Sequence, residues 1–239
     1  MSGVQREVLA DPDAVAARAA ELLVGALAGT AGEAVVSLAG GSTPRRLYEL
    51  LASPAWRTRI PWERVRWFFG DERFVPPGHP DSNFGMVRRA LFDPALVPPA
   101  TVHAIPTEGL TPDAAALAYE AELRRAYGAV ELDPARPLFA VSLLGLGEDG
   151  HTASLFPGTA ALEERRRWAV AVPGARPEPR ISLTFPALDS AALTLVLVTG
   201  ASKRPVLARL AAGADLPAAR LRPSGTLIWL LDAAAAGRA

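Results

Sequence analysis

Seven consecutive residues, Leu138 to Leu144 (LFAVSLL), are apolar except for one serine and run directly into glycines. A run this short and this apolar, with no alternation of apolar and polar positions, reads as a strand buried on both faces. A sheet covered on both faces needs helices to cover it, and the rest of the chain supplies them in alternation with further short strands. Glu33–Leu38, Val65–Phe69, Val102–Ile105, Trp168–Val172, Ile181–Phe185, Leu193–Thr199 and Thr226–Leu231 carry the same apolar, β-branched grammar. Between them, Asp11–Ala28, Thr43–Leu51, Ser82–Leu91, Thr111–Tyr127 and Ser202–Ala212 show helical spacing. Asp11 or Asp13 is expected to cap the first helix, and Thr43 the second, with Pro44 at its first helical position. The pattern predicts an α/β fold with a parallel or mostly parallel sheet flanked by helices. A small antiparallel excursion is expected between Trp168 and Phe185. Pro76-Pro77, Pro98-Pro99 and Pro173–Pro179 read as loops and not linkers, so residues 1–239 are read as a single domain.

Composition narrows the function. Half of the 239 residues are hydrophobic, enough for a sizeable core without staples. Lysines and arginines number 25 and aspartates and glutamates 25, so the formal net charge is zero and the basic footprint of a nucleic-acid binder is missing. There are no cysteines, which excludes disulfides, thiolate metal sites and cysteine nucleophiles. No stretch offers about 18 uninterrupted apolar residues and the N-terminus lacks the pattern of a signal peptide, so a cytoplasmic protein with no membrane partner is expected. Lys203 is the only lysine in a chain rich in arginine. It marks either a chance surface survivor or a position that needs a compact ammonium in place of a planar guanidinium.

In open α/β sheets, ligands bind outside the carboxyl ends of the strands. Four segments at strand ends carry glycines or reactive groups: Ala39–Pro44 (AGGSTP), Gly70–Arg73 (GDER), Gly145–His151 (GLGEDGH) and Thr199–Arg204 (TGASKR). In the first, Gly40 and Gly41 precede Ser42 and Thr43 at a helix start, where free N–H groups and the helix dipole suit a phosphate monoester. A glycine turn with an ordinary threonine cap fits the same residues equally well. Lys203 and Arg180 are cations able to balance such an anion. Asp71, Glu72 and Arg73 follow a very apolar strand, where charges are costly unless paired. A mutual ion pair among them is the simplest account, and Arg73, with its fixed planar donors, is the member suited to a developing oxyanion.

The glycines of GLGEDGH match a dinucleotide-binding fingerprint, but the rest of the pattern does not. Such a loop needs an acid about 20 positions later to hold a ribose; here that region is Arg165–Val170 (RRRWAV). Glu148 and Asp149 also lie where carboxylates would repel a pyrophosphate. His151 fits better as a general base, because an imidazole of pKa roughly 6.5 is mostly neutral at pH 7. Asp149, two residues earlier, is placed to orient it if the backbone turns between them. A histidine that merely caps the backbone is the alternative. His79 and His103 are scattered, so no metal site is implied.

Taken in order, SLAGGSTPRRLYELL, FFGDERFVPPGHPDSNFGMVRRALF, LLGLGEDGHTASLFPG, RISLTFPAL and LVTGASKRPVL closely resemble the 6-phosphogluconolactonases. The resemblance runs from about Val35 to the terminal GTLIWLLDAAAA. It implies a Rossmann-like α/β sheet shared with glucosamine-6-phosphate deaminases and ribose-5-phosphate isomerases. It also implies hydrolysis of the small phosphorylated sugar lactone 6-phospho-D-glucono-1,5-lactone, with no cofactor. By resemblance, His151 activates water and Arg73 contacts the substrate on its carbonyl side. Gly41, Ser42, Thr43, Lys203 and Arg180 fall where the superfamily holds the sugar phosphate. Asp71 falls where the deaminases transfer a proton, a step lactone hydrolysis does not need. The deaminases resemble GHIAFNEP where this chain has GHTASLFP. The alternatives are therefore a deaminase-like enzyme or a non-catalytic sugar-phosphate sensor.

Overall fold

The computed structural model describes residues 4–237. Its strands are β1 (Val4–Leu9), β2 (Ala34–Leu38), β3 (Val65–Phe69), β4 (Asp71–Arg73), β5 (Phe139–Gly145), β6 (Ala169–Val172), β7 (Arg180–Leu183), β8 (Ala191–Val198) and β9 (Thr226–Asp232). Six form an all-parallel sheet in the order β1-β9-β8-β5-β2-β3, and three form a small antiparallel sheet in the order β4-β7-β6. The winding direction explains where a ligand can enter. From β2 the chain steps outward to β3, whereas from β5 it steps the other way through β8 to β9. The connections leaving β2 and β5 therefore diverge, and a crevice opens between them at the carboxyl ends.

The strands are held by the apolar residues that predicted them. Trp67, Phe68 and Phe69 of β3 and Phe139, Val141 and Leu143 of β5 are buried in one core cluster that also takes in Ile181 and Leu183 of the smaller sheet. The helix Pro12–Gly29 covers one face with Val15, Ala19, Ala20, Leu23 and Leu27. It starts where Asp11 accepts a hydrogen bond from the Ala14 N–H, the ordinary aspartate cap. On the outer edge of β3, the Tyr119 hydroxyl accepts from the Phe69 N–H and donates to the Phe69 carbonyl, both at 2.7 Å, so the end of this edge strand is satisfied by a side chain.

Four sequence expectations change. The segment Val102–Ile105 forms no strand: Val102 makes a single bridge to Trp67, and the His103 ring then stacks on Phe68 at 4.4 Å. The GDER segment is not a loop, because Asp71–Arg73 is itself a strand paired with β7. β1 was not expected, since Val4–Leu9 (VQREVL) is polar at its centre; it forms because β9 offers a parallel edge along six residues. Thr43 does not cap the second helix. That helix spans Ser42–Ala52 with Gly41 at the cap position and no side-chain cap.

Candidate active site

A cavity of 290 Å³ lies at the crevice between the β2 and β5 connections. Gly40, Gly41, Asp71, Arg73, His151 and Lys203 all line it, together with Asn83 and Glu148. Sequence-distant strand ends thus converge because the parallel sheet places all their carboxyl ends on one side. Ser42, Thr43 and Arg180 stand outside this lining, and Asp149 stands behind His151.

The β2 turn brings a helix end to the cavity. Gly41 has φ of 102°, a conformation costly for residues with a Cβ, and it turns the chain abruptly into the helix Ser42–Ala52. At Gly40 a Cβ would lie 1.9 Å from Asn83 Oδ1, so a side chain there would displace Asn83 from the cavity wall. The turn is fixed from behind by the buried Tyr48, whose hydroxyl accepts from the Ala39 N–H and donates to the Ala39 carbonyl. Burial pushes the Tyr48 hydroxyl well above its usual pKa, so it stays protonated and donating. Thr43 Oγ1 lies 2.6 Å from Thr199 Oγ1, tying the β2 turn to the β8 turn. In the latter, the Asp232 carboxylate accepts from the Gly200 N–H and so fixes the backbone three residues before Lys203. Tyr48, Asn83 and Asp232 were invisible as site residues in the sequence, because each acts on a backbone or side chain far along the chain.

In β4 the side chains alternate. Asp71 and Arg73 face the cavity and Glu72 faces away, 2% exposed. Among the described residues the three make no ion pair with one another, contrary to the simplest expectation. Glu72 instead accepts from the N–H groups of Arg73, Asn83 and Phe84, each at 2.7 Å, and from the Ser82 hydroxyl. It therefore anchors the start of the helix Asn83–Val87 with a buried carboxylate. Burial pushes its pKa above the usual range, and the backbone donors offset that only in part. Asp71 accepts from Ser154 Oγ at 2.6 Å and from Asn83 Nδ2 at 3.3 Å. Arg73 donates to the Asp81 carbonyl. Arg180 sits directly opposite Arg73 in the β4–β7 ladder, with its side chain 11% exposed, and its Nη1 makes a long ion pair with Glu178 Oε2 at 3.5 Å but no well-formed hydrogen bond. Burial, with the Arg73 charge alongside, lowers its pKa from the usual guanidinium value.

After β5 the chain turns tightly: the Gly150 N–H donates to the Gly147 carbonyl and the Gly147 N–H to the His151 carbonyl. Asp149 Oδ1 then meets both the His151 N–H at 3.1 Å and the ring Nδ1 at 2.5 Å. A Cβ on Gly147 would lie 2.0 Å from His151 Nδ1, so this glycine is what lets the imidazole fold back onto its carboxylate. Burial pushes the Asp149 carboxyl upward, but the His151 backbone N–H, the imidazole and Arg176 together hold it below its usual pKa. An ionised Asp149 places the ring proton on Nδ1 and leaves Nε2 as the acceptor. Two residues on, Ala153 also lines the cavity and adopts φ of 47°, uncommon for a residue with a Cβ. No long helix opens at Gly150; Thr152 and Leu155 form a bridge there, as expected for a loop that is not a dinucleotide cradle. Among the described residues no three histidine, aspartate or glutamate side chains gather as a metal-ligand set.

Residues 10–229 match the family model described as glucosamine-6-phosphate isomerases/6-phosphogluconolactonase. The chain is 41% identical to a 6-phosphogluconolactonase of Nostoc sp. over 237 residues, covering 96% of this chain and 95% of that one. Among solved structures, the 6-phosphogluconolactonase of Thermotoga maritima superposes with a TM-score of 0.81 at 29% identity, over 96% of this chain and all of the other. A monomeric glucosamine-6-phosphate deaminase, 20% identical, covers 98% of this chain and 99% of its own with a TM-score of 0.81, so the fold is common to both activities.

Proposed function

The chain belongs to the glucosamine-6-phosphate isomerase/6-phosphogluconolactonase family, and we propose that it hydrolyses 6-phospho-D-glucono-1,5-lactone to 6-phospho-D-gluconate, in the oxidative pentose phosphate pathway, with His151 activating the water. The observation that carries this reading is the Asp149–His151 pair on the wall of a cavity ringed by Arg73, Lys203 and a helix N-terminus. We read it as a cytoplasmic, single-domain enzyme working without a cofactor.

Each step has a group suited to it. With Nδ1 donating to Asp149, His151 Nε2 takes a proton from water as its oxygen attacks the lactone carbonyl. The carbonyl oxygen gains negative charge, which Arg73 is suited to stabilise with donors that stay charged throughout. Collapse of the tetrahedral intermediate breaks the bond to the ring oxygen, and the imidazolium returns its proton to that leaving alkoxide. The acid so formed gives up the second water proton to solvent and leaves as a carboxylate. The phosphate is assigned to the N-terminus of the helix Ser42–Ala52, with Gly40, Gly41, Ser42 and Thr43, and to Lys203 and Arg180. Arg180 faces another arginine across the ladder, and its Nη1 has only the Glu178 carboxylate, 3.5 Å away, as an ion-pair partner, so the guanidinium keeps donors for an anion. Asp71 has no enolisation to perform in this reaction and is assigned to a sugar hydroxyl.

The test is hydrolysis of freshly generated lactone, measured against its spontaneous rate. His151→Ala is expected to lower kcat roughly 10²- to 10⁴-fold, the usual contribution of a general base. An unchanged kcat would remove His151 from the chemistry. Release of ammonia from glucosamine 6-phosphate by the native protein would overturn the lactonase reading in favour of a deaminase.

A further inference from the structure

Arg176 lies in none of the glycine-rich strand ends. It is carried by the proline-rich connection between β6 and β7, 27 residues from Asp149, yet its Nη2 lies 2.8 Å from Asp149 Oδ2. The two oxygens of Asp149 are therefore divided: Oδ1 serves the His151 ring and backbone, and Oδ2 serves Arg176. The same guanidinium lies 4.6 Å from the centre of the Phe156 ring, and that ring is itself 4.6 Å from the imidazole of His151, tilted at 47°. Arg176 thus touches both groups that hold the imidazole, the carboxylate at its edge and the aromatic ring against its face.

We infer that Arg176 is a positioning residue for His151: it fixes Asp149 and Phe156 in place and balances part of the Asp149 charge, so that the imidazole is held in one orientation. The physical reason has two parts. The His151 backbone N–H and ring hold only Oδ1, which leaves the carboxylate able to pivot about that oxygen, whereas one clamped on both oxygens presents Oδ1 in a single orientation. An uncompensated carboxylate beside an imidazole also raises its basicity, favouring an imidazolium that cannot act as a base. A cation on the far oxygen opposes that. As an exposed ion pair, with Arg176 and Asp149 side chains 43% and 35% exposed, the contact contributes little to folding stability. Its value lies in the geometry of the pair.

The inference rests on His151 being the base, and two readouts separate the two ideas. Besides Arg176, the charged groups that share the cavity wall with His151 are Glu148 from the same turn, Asp71 and Arg73 from β4, and Lys203 after β8. All are unchanged in an Arg176 variant. In Arg176→Ala, kcat at alkaline pH, corrected for spontaneous hydrolysis, is expected to fall on the order of tenfold with KM within about twofold. The acid limb of the kcat profile should move to higher pH, because removing the cation leaves the Asp149 charge less balanced. Arg176→Lys should restore most of both. Nitrogen-15 histidine spectra should show the His151 titration moving in the same direction in Arg176→Ala. If the titration and kcat are both unmoved, or if only KM rises, Arg176 does not position the base. If the titration moves in Arg176→Ala while His151→Ala keeps full activity, the coupling stands and the assignment of His151 as base fails.

Discussion

Lys203 shows how a single residue is legible in the sequence only up to a point. Its solitude among arginines marks it, and the structure puts it on the cavity wall, on a turn fixed by Asp232. A phosphate anchor binds ground and transition states alike, so Lys203→Ala should raise KM roughly 10- to 100-fold with kcat nearly unchanged, the range of one charge-assisted hydrogen bond. Steady-state kinetics decide it: a loss confined to kcat would place Lys203 at the reacting carbonyl. His151, Arg73 and Asp71, which residue type and motif singled out, line the cavity, and Asp149 stands behind His151. Arg176, Asn83 and Tyr48 were not singled out. Their partners lie 27, 12 and 9 residues away and are reached through space, so no local spacing marks them.

At the scale of elements, the apolar runs that define β2, β3 and β5 were readable because burial on both faces leaves little else they can form. The short elements were misjudged where pairing and not composition decides. β1 and β4 are polar or charged in sequence and exist because a neighbouring strand offers a ladder. Charged Asp71–Arg73 reads as an ion-pair cluster, but pleating sends Glu72 to the opposite side from its neighbours and into the start of the helix Asn83–Val87. Removing that carboxylate leaves three buried or half-buried N–H groups without their acceptor. Glu72→Ala should therefore cost about 3 kcal/mol of stability. Urea unfolding provides the measurement, and a loss within experimental error would show that the N–H groups find other acceptors.

For the molecule as a whole, the pH dependence of stability has an identifiable source outside the site. Asp189, at the end of the helix Phe185–Asp189, accepts from the Arg222 N–H, and its carbonyl accepts from the Ser224 N–H, joining that helix to the segment leading into β9. Burial pushes its pKa up to about 6, the Arg222 N–H opposing only in part. A carboxyl with a raised pKa in the folded state stabilises fully below the unfolded value of about 3.9. That contribution is lost as pH rises to about 6. Asp189→Asn should flatten this loss, so the difference in unfolding free energy between the two proteins should change between about pH 4 and pH 6 and be constant on either side. A constant difference across that window would show that Asp189 titrates normally.

The sequence by itself determined the class of fold, most strands of the parallel core and the glycine-bearing strand ends that line the cavity, because both-face burial and glycine turns are local constraints written in consecutive residues. The tertiary structure decided the rest. It placed the crevice between β2 and β5 by reversing the direction of winding there, turned Glu72 away from Asp71 and Arg73, set Arg180 against Arg73, and brought Arg176 to the far oxygen of Asp149. The reason is physical: a carboxylate or a guanidinium is satisfied by whatever donor or acceptor lies within about 3 Å, and only the folded chain fixes which that is.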